Sequence, residues 1–125
     1  MTKVIIAGSR NFSDKGLLYK TVDRILSCIN DDIEIVSGHC RGADILGEQY
    51  AIDHNLKYIT FPADWKSYGK LAGYYRNMQM AEYAGKNGIL IAFPINESKG
   101  TNMMIKIAKN KGLTSFVINI TEGNE

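Results

Sequence analysis

Five short runs of apolar residues alternate along the chain with segments in which apolar residues recur every three or four positions. The runs cover residues 4–7, 33–36, 58–61, 89–93 and 115–120. They are continuously apolar or β-branched, which is typical of parallel strands that are covered on both faces. The alternation therefore predicts an α/β domain in which a five-stranded parallel sheet has helices on both faces.

The segments between these runs show the period of amphipathic helices. Their apolar stripes consist of Leu18, Val22, Ile25 and Ile29; of Ala43, Leu46, Gly47, Tyr50, Ala51 and His54; of Leu71, Tyr75, Met78 and Glu82; and of Met104, Ile107, Ala108 and Lys111. Gly112 stands where the last of these helices should end. The order of the strands in the sheet does not follow from the sequence.

Length and composition indicate one ordinary globular domain. The chain has 125 residues, of which 45% are apolar and 22% are charged. We expect the domain to cover residues 1–120 and residues 121–125 to form a frayed tail. The formal net charge of +2 is too small for a protein that coats duplex DNA, so a nucleic-acid partner is not expected.

The two cysteines, Cys28 and Cys40, show neither CxxC spacing nor a histidine pair at zinc-ligand distance. Reduced thiols in a cytoplasmic protein are the simplest interpretation, and a disulfide between them stays an alternative. The chain starts with no signal-peptide pattern, and its apolar runs are much shorter than a membrane span. We expect no membrane association, no bound metal and no cofactor.

Glycines and cations follow the predicted strands at the points where these end. Gly8, Ser9 and Arg10 follow the first strand, and residues 37–42, with the sequence SGHCRG, follow the second. Residues 98–101, with the sequence SKGT, precede the last helix. Ligands of parallel sheets bind at the carboxyl ends of the strands, where helix N-termini favour anions. These turns therefore predict an anion site, although glycine turns at strand ends are also common as purely structural features.

The segment after the third strand adds groups that could recognise a nucleoside. Its aromatic and polar candidates are Asp64, Trp65, Tyr68, Tyr74, Tyr75, Arg76 and Asn77. An aromatic ring can stack on a base, and a carboxylate can accept hydrogen bonds from ribose hydroxyls. The alternatives are that Trp65 anchors the core or a lid, and that Arg76 forms a surface salt bridge.

The complete set of candidate ligand-binding residues combines these turns with their immediate neighbours. It consists of Gly8, Ser9, Arg10, Phe12, Ser37, Gly38, His39, Arg41, Gly42, Ala43, Asp44, Asp64, Trp65, Arg76, Asn77, Phe93, Ser98, Lys99, Gly100 and Thr101. Asp44 has the alternative role of capping the second helix. Cys40 beside His39 suggests a thiolate nucleophile only weakly, because adjacent side chains seldom point at one another.

The motifs "GSR", "SGHCRGAD" and "SKGT", together with "FPADWKSYGKLAGYYRNMQMAEYA" over residues 61–84, resemble the SLOG superfamily. The similarity is greatest to its small, single-domain YspA-like branch, and it covers nearly the whole chain. This resemblance implies a Rossmann-like three-layer sandwich with a pocket for a nucleotide or a nucleotide-derived small molecule, a signalling nucleotide among them. We also expect a homo-oligomer.

One departure from the superfamily bears on catalysis. The LOG hydrolases carry a PGGxGTxxE signature, and Met104 stands here at the position of its glutamate. A thioether cannot transfer a proton, so we favour binding without turnover. The first alternative is a hydrolase that cleaves an N-glycosidic or phosphate bond, with a carboxylate from Asp44, Glu48, Asp64 or Glu97. The second is single-stranded DNA binding, by likeness to the DprA proteins. No catalytic residue is assigned.

Overall fold

The predicted strands form one parallel sheet in the computed structural model, which describes residues 1–96 and 98–121. They are β1 (Thr2–Gly8), β2 (Ile33–Ser37), β3 (Lys57–Thr60), β4 (Ile89–Phe93) and β5 (Thr114–Val117). Their order is β3-β2-β1-β4-β5, and every neighbouring pair is parallel. The five-stranded parallel sheet is thus confirmed. The predicted run 115–120 is longer than β5, since Ile120 lies beyond its end and forms an isolated bridge with Ile95.

Helices connect the strands. They are α1 (Lys15–Leu26), α2 (Ala43–Asp53), α3 (Trp65–Tyr68), α4 (Ala72–Ala84) and α5 (Lys99–Asn110), with a 3₁₀ turn at Gly69–Leu71 between α3 and α4. Helix α1 begins where the Asp14 carboxylate accepts a hydrogen bond from the backbone N–H of Leu17 at 3.0 Å. Helix α5 ends just before Gly112, whose φ of +83° is the left-handed conformation that favours glycine there.

The side chains of the strands alternate between two apolar cores, one on each face of the sheet. The first core joins the sheet to α1 and α2 and includes Val4, Ile6, Leu18, Val22, Ile35, Tyr50, Ala51 and Ile91. The second joins it to α4 and α5 and includes Ile5, Val36, Met80, Ala81, Leu90, Met104, Ile107 and Ala108. The three-layer arrangement is the Rossmann-like sandwich that the sequence predicted.

The face that α4 buries differs from the predicted one. Leu71 and Tyr75 were expected on the buried stripe, but both are exposed. The buried positions instead include Asn77, Met80 and Ala81. Asn77, Met80 and Ala81 lie three or four positions apart and so share one side of the helix, whereas Tyr75 lies on another side. The period of the pattern was therefore correct, and its phase was wrong.

The strand order leaves a crevice at the carboxyl edge of the sheet. From β1 the chain continues through β2 to β3 on one side, while β4 and β5 lie on the other side of β1. Helix α1 follows β1 on one face of the sheet, and α5 follows β4 on the opposite face. The connections after these two neighbouring strands therefore diverge, as at the switch points where parallel sheets bind ligands.

Candidate functional site

A cleft of about 500 Å³ lies at this switch point, above the carboxyl ends of β1 and β4. Its lining comes from the end of β1, from the loops after β1, β2 and β4, from the first turn of α2, and from α4 and α5. The lining residues are Ala7, Gly8, Ser9, Arg10, Asn11, Cys40, Asp44, Arg76, Asn77, Met80, Ile95, Asn96, Ser98, Gly100, Thr101 and Met104. The volume is within the range of small-molecule sites.

The turn after β1 is tied directly to the loop after β4. The backbone N–H of Ser9 donates to the carbonyl of Phe93 at 3.2 Å, and the Ser9 hydroxyl accepts from the N–H of Ile95 at 2.8 Å. At Gly8, a Cβ would lie 2.6 Å from the Cβ of Ala43, so only glycine fits. This bracing holds Arg10, an exposed cation, at the rim of the cleft.

The N-terminus of α5 opens into the cleft. Ser98, the residue before the helix, makes no capping hydrogen bond through its side chain. Its hydroxyl instead donates to that of Thr101 at 2.9 Å. The first N–H groups of any α-helix have no acceptor within the helix, and its dipole is positive at that end. A Cβ at Gly100 would have nothing within 4 Å, so there is open space directly beside these donors. An anion would be well placed there.

Asp44 is a buried carboxylate in the cleft wall. It is 6% exposed and lies in the first turn of α2, where its Oδ2 accepts from the N–H of Cys40 at 3.3 Å. Burial raises the pKa of Asp44 to about 6, against the opposing effects of that hydrogen bond and of the positive charge of Arg76. Asp44 is therefore a group whose charge changes just below neutral pH.

Arg76 connects α4 to the loop after β2. Its Nη1 donates to the carbonyl of Gly38 at 2.7 Å and lies 3.5 Å from the Cys40 sulfur. Its Nε donates to Oδ1 of Asn77 at 2.9 Å. A Cβ at Gly38 would be 2.7 Å from the same Nη1, so glycine makes room for the guanidinium. Arg76 thus both lines the cleft and supports its wall.

The loop between β2 and α2 mainly supports the turn after β1. Gly42 has a φ of +88°, and a Cβ there would be 2.8 Å from the carbonyl oxygen of Arg10 and would overlap that of Ser9. The turn after β1 therefore covers the start of α2. This packing keeps Gly42 and the buried Ala43 out of the cleft lining.

A hydrogen-bond cluster fixes the conformation of the same loop. The Ser37 hydroxyl donates to Oε2 of Glu48 at 2.7 Å, and Nδ1 of His39 lies 2.9 Å from that oxygen. His39 itself is left-handed, with a φ of 60°. The imidazole points at Glu48 while the thiol of Cys40 faces Arg76, so the two side chains do not form a nucleophile–base pair. Glu48 acts as the anchor of the cluster.

The cleft brings together part of the predicted set. The predicted residues that line it are Gly8, Ser9, Arg10, Asp44, Arg76, Asn77, Ser98, Gly100 and Thr101. Those outside the lining are Phe12 and Phe93 in the core; Ser37, Gly38, His39, Arg41, Gly42 and Ala43 in the β2–α2 connection; Asp64 and Trp65 at α3; and Lys99 on the surface. The carboxylate of Asp64 caps α3 by accepting from the N–H of Ser67 at 3.1 Å. Glu97 lies outside the described residues.

Several lining residues were absent from the predicted set. They are Ala7, Asn11, Cys40, Met80, Ile95, Asn96 and Met104, of which Cys40 and Met104 had been considered for catalysis only. Asn11, Ile95 and Asn96 follow strand ends, so the rule that identified Arg10 could also have found them. Met80 carried no such signal because the buried face of α4 was misassigned.

Within residues 1–96 and 98–121, the structure contains no group of three or more histidine, cysteine, aspartate or glutamate residues placed to hold a metal ion. The helices of these same residues are all too short or too polar to cross a membrane.

Comparison with known proteins gives two matches. The sequence model of the YspA, cpYpsA-related SLOG family matches residues 2–68. The Gene 61 protein of Mycobacterium phage D29 is 30% identical over 118 residues, which is 90% of this chain and 93% of the phage protein. No solved structure matches the chain significantly. The residues matched by the family include both the turn after β1 and the loop after β2.

Proposed function

Because the chain belongs to the YspA, cpYpsA-related SLOG family, we propose that its cleft binds a nucleotide or a nucleotide-derived small molecule. The resemblance to the YspA-like branch that the sequence indicated is thereby confirmed. The chemistry of the cleft indicates that this ligand carries a phosphate group.

The observation that carries the proposal is the pair of anion-binding features that meet in one cleft. The open N-terminus of α5 offers backbone N–H groups beside Gly100, and Arg10 and Arg76 supply two guanidinium groups. Guanidinium groups and helix N-termini both bind phosphate oxygens. A volume of about 500 Å³ is sufficient for a phosphate with its ribose. A nucleotide carries both groups, in agreement with the nucleotide-related ligand that membership of this family suggests.

We propose binding without turnover. Met104 is buried and lines the cleft beside Met80, so this part of the wall is apolar and carries no proton-transfer group. A protein that binds a signalling nucleotide without consuming it would act as a sensor or by removing the signal from solution.

One observation favours the alternative of a hydrolase. Asp44 lines the cleft with a pKa of about 6 and is therefore mostly ionised at pH 7.5. A carboxylate in that state could take a proton from an attacking water molecule. The experiment that tests binding must therefore also examine whether the ligand stays intact.

The test is thermal unfolding with AMP, ADP, ADP-ribose, NAD and cyclic AMP, followed by chromatography of each mixture. We expect at least one compound to raise the melting temperature and to be recovered intact. At one hundred times its dissociation constant, it should add about 2.7 kcal/mol to the free energy of unfolding. Native mass spectrometry of the purified protein tests for a co-purifying nucleotide.

Each contrary result has a definite meaning. If no compound at millimolar concentration changes the melting temperature, nucleotide binding is refuted. Repeated release of free base or phosphate, abolished in Asp44→Asn, would replace binding by hydrolysis. Oligothymidylate is added as a separate probe, and a rise in melting temperature with it alone would favour single-stranded DNA binding. Homo-oligomerisation and a cytoplasmic location stay predictions, and light scattering after size exclusion tests the first.

A further inference from the structure

Four aromatic side chains lie exposed on α3 and the first turn of α4. Trp65, Tyr68, Tyr74 and Tyr75 are 52%, 51%, 40% and 42% exposed. The ring centroids of Tyr68 and Tyr75 are 4.8 Å apart, and those of Tyr74 and Tyr75 are 5.5 Å apart. We call these four residues the aromatic platform. Clustered exposed aromatic groups are characteristic of surfaces that bind a partner or a ligand.

The aromatic platform is adjacent to the cleft. A Cβ at Gly73 would lie 3.8 Å from Cη2 of Trp65 and 3.9 Å from Nη2 of Arg76. The indole and the guanidinium are therefore neighbours, separated by a residue without a side chain. Because the same Arg76 lines the cleft, the aromatic platform begins where the cleft wall ends.

The charge of the segment indicates what it binds. Lys66, Lys70 and Arg76 lie on residues 65–80, which contain no aspartate or glutamate. Lys66 and Lys70 are exposed. The neighbouring carboxylates are Asp64, which is engaged in capping α3, and the buried Asp44. Exposed rings among cations match a molecule that joins a flat ring system to negative charge.

We propose that the aromatic platform is the base subsite of the cleft: a nucleotide places its phosphate at the N-terminus of α5 and stacks its base on the exposed rings beside Arg76. This inference rests on the proposed function and extends it, because it makes the base, and not only the phosphate, a determinant of affinity. The other occupant such a surface could have is a second copy of the chain, which the test distinguishes.

Trp65 is the single tryptophan of the chain, so tryptophan fluorescence reports directly on the aromatic platform. The probes are AMP, ADP and ADP-ribose, with ribose 5-phosphate as the matched compound that lacks a base. We expect saturable quenching by the nucleotide that gives the thermal shift and no quenching by ribose 5-phosphate. The double variant Tyr68→Ala/Tyr75→Ala should weaken nucleotide binding about tenfold and leave binding of ribose 5-phosphate unchanged.

Phe116→Ala is the control variant, since Phe116 is a comparably exposed aromatic residue on β5 that the cleft lining does not include. It should bind nucleotides with unchanged affinity. If a nucleotide raises the melting temperature but neither quenches Trp65 nor binds the double variant more weakly, the base subsite is refuted and nucleotide binding stands. If no nucleotide binds, both proposals fail. The third outcome is that Trp65 emission changes with protein concentration without any nucleotide and that the double variant loses an oligomer. The aromatic platform would then bind a second copy of the chain.

Discussion

Replacing Asp44 with asparagine is expected to stabilise the protein at neutral pH. The native pKa of Asp44 is raised from 3.8 to about 6, because burial disfavours the ionised carboxylate. In the unfolded chain this carboxyl ionises near its ordinary pKa. Below that value both states are protonated and the group costs nothing. As the pH rises towards 6 the unfolded state loses its proton first, so stability falls; above the native pKa the loss is complete.

The size of the effect follows from the two pKa values. A pKa shift from 3.8 to about 6 corresponds, at about 1.4 kcal/mol per pH unit, to a loss of about 3 kcal/mol in the free energy of unfolding of the wild type at pH 7.5. At pH 4.5, where the unfolded group is only partly ionised, the same linkage gives about 1 kcal/mol. Asparagine has a similar shape and does not titrate. The free energy of unfolding of the variant should therefore exceed that of the wild type, and the difference should grow by about 2 kcal/mol from pH 4.5 to pH 7.5.

Urea unfolding of both proteins without nucleotide, at several pH values between 4.5 and 7.5, measures this margin. Asp31→Asn is the control without pH dependence, because hydrogen bonds from Thr2 and the chain's amino group lower the pKa of Asp31, so this carboxylate is ionised in both the folded and the unfolded state over most of this range. The difference in free energy of unfolding between that variant and the wild type should therefore hardly change between pH 4.5 and 7.5. A difference between Asp44→Asn and the wild type that does not change with pH would refute the assignment of a raised pKa to Asp44.

Three further predictions use matched variants. Arg10→Ala should weaken nucleotide binding by about 1.5–3 kcal/mol in calorimetric titration, whereas Arg41→Ala, on an exposed side chain outside the cleft lining, should not; equal losses would contradict the site. Gly42→Ala should lower the free energy of unfolding by about 2–4 kcal/mol, and a variant with unchanged stability would show that the loop relaxes easily. Gly100→Ala should unfold at the same denaturant concentration as the wild type yet bind nucleotides more weakly, since its Cβ enters open space beside the α5 N–H groups. Unchanged affinity would show that the anion does not bind at the N-terminus of α5.

The sheet could be predicted because buried parallel strands leave a strong signal in a single sequence. Residues 89–93 are apolar at every position, as a central strand with helices on both sides requires. The face of α4 was missed because its stripe mixes residues of different size. Asn77 is buried and Tyr75 is exposed, which reverses what hydrophobicity alone would suggest. The contacts of α4 with the sheet and with α5 determine that phase, and they are a property of the folded structure.

The site was predicted at the correct edge of the sheet and with an incomplete set of neighbours. The turns after β1 and β2 and the SKGT turn were all expected to bind an anion, but in the cleft the turn containing Arg10 lies with the loop after β4, and the loop after β2 contributes only Cys40. Strand order determines this difference, and the order depends on long-range pairing that local patterns do not encode. Gly42 in "CRGAD" was predicted to contact a ligand. In the structure the position does require glycine, but the group that approaches it is the backbone of Ser9 and Arg10.

The bridge between Ile95 and Ile120 has a practical consequence for how the protein is handled. The backbone N–H of Ile120 donates to the carbonyl of Pro94 at 3.0 Å, and its carbonyl accepts from the N–H of Asn96 at 2.9 Å, so Ile120 lies beside the rim of the cleft. The amino group of Met1, in contrast, lies 3.1 Å from Asp31, before the start of β1 at the opposite edge of the sheet. A bulky group introduced directly after Ile120 would therefore start close to the ligand entrance and compete with the ligand. The same group introduced beside Met1 would start at the opposite edge of the sheet.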